Sequence, residues 1–175
     1  MIDDIDRQIL TILQDNARTA AAEIARRVEM APSAVFERIK KLEERGVIRG
    51  YSAMLDPRPL GLNLLAFIMV RADERITAIE AGRQIAAIPG VQEVHHIAGE
   101  DCYLVKVRTR DTESLGRLLR EQLGAIPFVR GTRTTIVLET VKETSYLPIE
   151  PAGAAPADPA SGVSPPTARE GDGIA

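Results

Sequence analysis

Ala87-Ile88-Pro89-Gly90-Val91 returns 38 residues later as Ala125-Ile126-Pro127-Phe128-Val129. The surroundings of the two copies match as well. An amphipathic helix precedes each, over 76–86 and 112–123, and an apolar strand ending in Arg precedes each helix, over 65–71 and 103–108. A further strand follows each copy, over 91–98 and 131–139. Strand, helix, strand, repeated, is the split βαβ of a ferredoxin-like domain, in which two helices cover one face of a four-stranded antiparallel sheet. Leu64, Ala66, Ile68, Leu104, Ile136 and Leu138 include apolar residues on both faces. No third layer is visible in the sequence, so the second face is expected to be covered by a partner subunit.

Residues 1–50 have a different period. Ile5, Ile9, Ile12 and Leu13 recur at helical spacing behind the acidic start Asp3-Asp4, which suits a helix N-terminus. Asn16 and Arg18 close that helix, and Thr19 is read as the cap of a second one, with Ala22, Ile24, Ala25 and Val28 inside. Glu29-Met30-Ala31 forms a short break. Pro32 suits the first turn of a third helix, and Gly46 its end. Two short helices around a tight break, after a longer helix, describe a helix-turn-helix. With Val35, Ile39 and Leu42 turned inward, Ser33, Ala34, Glu37, Lys40 and Lys41 point away from the core, where a recognition helix meets a major groove. Arg38 flanks that face, and Arg45 and Arg49 follow the helix, which suits phosphates. Residues 47–55 then alternate as a wing or hinge strand, closed by Asp56-Pro57-Arg58-Pro59.

Charge supports this division. The 175-residue chain has a net charge of −3, all of it in the proline-rich stretch from Leu147 on, while Arg26 to Arg49 carries a local +3. Phosphate binding depends on local excess rather than on the isoelectric point. One cysteine, Cys102, excludes an intrachain disulfide framework and a multi-cysteine zinc site. No apolar run approaches membrane-spanning length, and the acidic start resembles no leader, so a soluble cytoplasmic protein without membrane contact is expected. His95 and His96 lie on one strand and face opposite sides, so no metal site is expected. The tail from 147 on cannot bury enough surface to offset ordering entropy, so it is expected to be disordered.

Linked segments carry a family resemblance. They are Pro32-Ser33-x-Val35-x-x-Arg38-Ile39-Lys40-Lys41-Leu42-Glu43, Arg49-Gly50-Tyr51-x-Ala53-x-Leu55-Asp56-Pro57, Gly99-Glu100-Asp101-x-Tyr103-Leu104-x-Lys106, and Thr132-x-Thr134-x-Ile136-Val137-x-Glu139-x-x-Lys142. Together they resemble the leucine-responsive regulatory protein/AsnC family of transcription regulators over roughly residues 2–145. The fold class is then α+β: a winged helix-turn-helix domain (1–50), a hinge (51–63), a ferredoxin-like, ACT-like domain (64–146) and a tail (147–175). The resemblance implies double-stranded DNA as partner, a homodimer assembling to octamers or similar, and no cofactor beyond a small effector such as an amino acid. It places that effector between C-terminal domains, near Ala98, Gly99, Glu100, Asp101, Cys102, Tyr103, Thr132, Thr134 and Thr135. Cys102 stands where many members carry Asp, so Asp101 or Glu100 is the expected acceptor for a ligand ammonium. Two other functions compete. A haem-modifying decarboxylase of similar architecture is disfavoured by the absence of Trp and by the basic third helix. A DNA-packing protein without effector would bind with strong salt dependence and little sequence preference. An enzyme is not expected.

Overall fold

The computed structural model describes residues 2–73, 78–99 and 102–150. The chain divides into two compact units. Among the described residues, one comprises those up to Ser52 together with 144–150, and the other lies within Ala53–Glu143.

In the first unit, α1 spans Asp4–Asp15, α2 Ala21–Arg27 and α3 Pro32–Glu44. Asp3 caps α1. Its carboxylate accepts the Asp6 N–H at 2.8 Å, and the Asp6 carboxylate accepts the Asp3 N–H at 3.3 Å. This is a capping box with Asp in place of the usual Glu. Thr19 does not cap α2. Its hydroxyl donates back to the Asn16 carbonyl at 2.8 Å, and α2 starts after Ala20 without a side-chain cap. The break before α3 has a specific geometry. Glu29 takes a left-handed φ of +53°, and the Met30 N–H returns to the Ala25 carbonyl at 2.9 Å. That is a Schellman ending with Glu where Gly is usual. The helix α3 ends the same way on Gly46, at φ +69°, with Val47 N–H bonded to the Leu42 carbonyl at 2.9 Å. Ile9, Ile24, Val35 and Leu42 are wholly buried between the three helices, each contributing about 2 kcal/mol by leaving water.

Residues 47–55, read as a strand, form none. Val47 and Ile48 fold back onto the carbonyl of Leu42 and pack on the helical core instead. Tyr51 follows, with its hydroxyl donating to Glu43 Oε1 at 2.9 Å. Partial burial, then Glu43, pushes that phenol up to about 12.

In the second unit, β1 spans Leu64–Ala72, α4 Ala78–Ala86, β2 Val91–His96, β3 Tyr103–Thr109, α5 Thr112–Arg117 and β4 Val129–Ile136. The sheet is antiparallel with order β2-β3-β1-β4, the ferredoxin-like order. The strands β2 and β4 stop short of the expected ends at 98 and 139. The continuation of α5 over Leu118–Leu123 widens, with Gly124 N–H reaching back five residues to Leu119. Ala66, Ile68, Val70, Tyr103, Val105 and Val107 face the helices, where Ala81, Ile85, Leu115, Leu118 and Leu123 bury them. Gly90, at φ +90°, holds the turn before β2 against the backbone of β3: its carbonyl accepts from Arg108 N–H at 2.9 Å.

The other face is half charged. Lys106 Nζ donates to Glu93 Oε1 at 2.9 Å and to Glu143 Oε1, and Arg108 Nη2 donates to Glu143 Oε2 at 3.2 Å. A residue beyond the last strand thus covers part of the face that was expected to need a partner. Phe67, Met69 and Leu104 remain half-buried beside this ladder. His95 lies on this face beside Glu93, at 3.2 Å, while His96 lies on the helix face against Tyr103, with ring centroids 5.4 Å apart. Among the described residues no three His, Cys, Asp or Glu side chains gather to hold a metal, and no helix is long and apolar enough to cross a membrane.

Candidate DNA-binding and effector sites

The outward face of α3 is the first candidate. Pro32 at its first turn and the Schellman ending at Gly46 fix a helix of 13 residues. The buried pair Val35 and Leu42 sets its rotation, so Ser33, Glu37, Lys40 and Lys41 are exposed on the opposite side and Ala34 is half-buried beside them. Lys40 makes only a long contact with Glu44, 3.8 Å, one turn on. Arg45 and Arg49 are exposed beyond the helix end.

Arg38 departs from the expected phosphate role. Its Nη1 donates to Asp3 Oδ2 and Asp6 Oδ1, both at 2.7 Å. Asp6 is buried, so the guanidinium neutralises a carboxylate that water does not reach freely. The Asp6 N–H, then Arg38, holds the Asp3 carboxyl below its usual range, and the two carboxylates raise Arg38. Arg38 therefore fastens the recognition helix to the capping box of α1. Tyr51 on Glu43, at the far end of α3, is a second fastening that the sequence reading did not contain.

The second candidate lies at one end of the sheet. Ile97 N–H bonds to the Cys102 carbonyl at 2.9 Å, closing the β2–β3 hairpin. Ala98 and Gly99 are exposed in this turn, with Gly99 at φ +132°. Glu100 and Asp101 lie outside the described residues. Cys102 donates its N–H to the Val70 carbonyl at 2.9 Å, and its Sγ lies 3.5 Å from Ala72 N. Thr132 stands opposite Val70 on the other side of β1. The structure thus brings Ala98, Gly99, Cys102 and Thr132 around the end of β1.

Tyr103 flanks Val70 from the β3 side of β1, as Thr132 does from the β4 side, while Thr134 and Thr135 lie further along β4. Tyr103 is 2% exposed and packs in the core, where Gly82 of α4 leaves room for it: a Cβ there would lie 3.4 Å from its ring. Burial, with Cys102 beside it, raises the phenol. Thr134 pairs with Ile68, two residues further along on the helix face, and Thr135 pairs with Phe67 on the opposite face. Period-two alternation held the signal for the faces of Tyr103 and Thr135. Tyr103 has the parity of Val105 and Val107, and Thr135 the opposite parity to Thr132 and Thr134.

Comparison with known proteins converges on one class. Residues 2–49 match the winged helix-turn-helix DNA-binding model, and residues 65–147 the Lrp/AsnC ligand binding domain. The HTH-type transcriptional regulator FL11 of Pyrococcus horikoshii is 40% identical over 149 residues, 85% of this chain and 97% of that relative. The leucine-responsive regulatory protein of Escherichia coli is 34% identical over 151 residues, 85% of this chain and 92% of that relative. Among solved structures, the feast or famine regulatory protein of M. tuberculosis, complexed with L-methionine, is 33% identical with a TM-score of 0.79, covering 86% of this chain and 100% of that one. A Neisseria meningitidis transcriptional regulator in complex with L-Met is 31% identical with a TM-score of 0.78, covering 85% and 97%. Fold and matches together define a DNA-binding transcriptional regulator with a ligand-binding domain, not an enzyme. The chain belongs to the Lrp/AsnC family.

Proposed function

We propose that this regulator acts in the cytoplasm as a homodimer, assembling further to octamers or a similar form. It reads double-stranded DNA with α3 and responds to an amino acid bound between C-terminal domains. The observation that carries the DNA reading is the exposed row Ser33, Glu37, Lys40 and Lys41 on a helix whose opposite side is locked into a core. Ser33, Ala34 and Glu37, near the helix N-terminus, are assigned to base edges, and Lys40, Lys41, Arg45 and Arg49 to phosphates. Two such helices in a dimer reach successive major grooves about one helical turn apart.

The effector reading rests on the turn at the end of β1. Exposed backbone at Ala98 and Gly99 offers N–H groups to a carboxylate, and Thr132, opposite Val70, is assigned to the same ligand. Glu100 and Asp101 supply the acceptor for an ammonium in this proposal. Two relatives carry L-methionine, so that amino acid is the first to test. A pocket shared between subunits lets a ligand favour one assembly state, provided it binds the states unequally.

Two measurements test these parts separately. Removing a phosphate contact by Lys41→Ala should lower the slope of log affinity against log salt by about 0.9 and weaken all sequences alike. Glu37→Ala should relax preference at one base position and leave the slope unchanged. A melting screen against the common amino acids should give one clear rise, since a ligand at ~100 times its Kd adds about 2.7 kcal/mol. A flat screen with a steep salt slope and no sequence preference would instead describe a DNA-packing protein.

A further inference from the structure

The last described residues do not trail away from the fold. Of these, residues 144–150 belong to the same compact unit as the helix-turn-helix. The Gln14 side chain donates from Nε2 to the Leu147 carbonyl at 3.0 Å and accepts the Leu147 N–H on Oε1 at 2.8 Å. One primary amide thus satisfies both backbone groups of one residue, as a neighbouring strand would. Three residues on, Arg7 Nη1 donates to the Glu150 carbonyl at 3.0 Å. Arg7 Nε is buried in the same place without a hydrogen bond. Ile149 between them is half-buried in a cleft with Asp4, Arg7, Gln8, Thr11, Ile12 and Arg27.

Local sequence explains why this segment suits the role. Pro148 biases Leu147 toward an extended backbone, which presents its N–H and C=O to a side-chain amide. Pro148 itself has no N–H to satisfy. The Leu147 side chain is 68% exposed, so recognition is of backbone shape and not of that side chain. Arg7, Thr11 and Gln14 lie on the side of α1 turned away from Ile9, at roughly 100° per residue. The contact uses none of the outward residues of α3. Glu143, held by Lys106 and Arg108, precedes Leu147 by four residues.

We propose that residues 144–150 are a docking strap: this chain's own C-terminal segment is fastened to α1 by Gln14 and Arg7, which gives the helix-turn-helix unit a second covalent route to the ligand-binding domain. The strap leaves the DNA-reading face of α3 open. It is a tether and not a plug.

Hydrogen exchange on the full-length protein tests it. The Leu147 amide should exchange at least about tenfold more slowly than an unstructured amide, and Gln14→Ala should remove that protection while α3 amides stay protected. Ala favours the helix and Gln14 is only half-buried, so the variant folds. Leu147 exchanging at the unstructured rate in the unaltered protein overturns the proposal, as does protection that survives Gln14→Ala. A second experiment asks whose segment docks. Thr11→Cys with Ile149→Cys, in a Cys102→Ser background, should oxidise within one chain and run as a monomer on a non-reducing gel. A disulfide-linked dimer assigns the segment to a second copy and overturns the claim for this chain's own end, and the absence of any disulfide overturns the docking.

Discussion

The two candidate sites differ in how much chain they need. The DNA-reading face comes from one helix, α3, whose residues are neighbours in sequence and whose rotation two buried side chains set. The effector end of the sheet draws on the β2–β3 turn, the end of β1 and the start of β4, brought together only by strand pairing. A helix face survives as long as its helix is docked. A site assembled across a sheet depends on register, and a shift of one residue turns every side chain over. Perturbations should therefore damage the second site through the sheet and the first site through the docking of α3.

The largest effect is expected from Gly90→Ala. A Cβ there would lie 2.9 Å from the Arg108 carbonyl oxygen at a φ of +90°, so the pairing of β2 with β3 must shift. A loss of about 3 kcal/mol is expected, confined to the second unit, and chemical denaturation followed by exchange in each unit measures it. Next is Arg38→Met, which leaves Asp6 buried without its cation. About 2 kcal/mol should be lost, now confined to the first unit, with DNA affinity falling through stability and the salt slope unchanged. A reduced slope in folded Arg38→Met protein would return Arg38 to the phosphate contacts. Third is Glu29→Gly, which relieves a left-handed residue in the turn before α3 and should stabilise the first unit by about 1 kcal/mol.

The smallest contrast is in pH. Lys106 holds the Glu93 and Glu143 carboxyls below their usual range, and hydrogen bonding from the Asp6 N–H does the same for Asp3. A depressed carboxylate gives its full stabilisation above its unfolded value, about 4, and loses it as pH falls through the lower folded value. Both units should weaken below about pH 4. Lys106 is raised by Glu143 and Glu93, so its contribution is complete below about 10.4 and fades as pH rises beyond. Melting curves of the two units between pH 3 and 6 check the acid side, and a second unit with no acid sensitivity would remove the ladder from its stability.

Periodicity made the fold legible. The Ile-Pro echo and the strands around it announced the sheet, because each helix and strand has its own apolar period. Thr19 and residues 47–55 misled for a local reason. Thr19 bonds back to Asn16, and the β-branched Val47 and Ile48 serve the helical core rather than a ladder. Arg38 was illegible for a tertiary reason, since a flanking guanidinium turns to DNA or to α1 according to how the helices cross. The burial of Tyr103 was legible by parity with Val105 and Val107. Gln14 and Leu147, 133 residues apart, carry no signal that a sequence reading can pair.

The most direct test is a DNA titration performed with and without the amino acid that raises the melting temperature, L-methionine first. Effector-responsive regulation predicts that saturating ligand changes the DNA dissociation constant or the assembly size by several-fold, with Lys41→Ala lowering the salt slope in both conditions. Equal affinity and equal assembly with and without every common amino acid would contradict it.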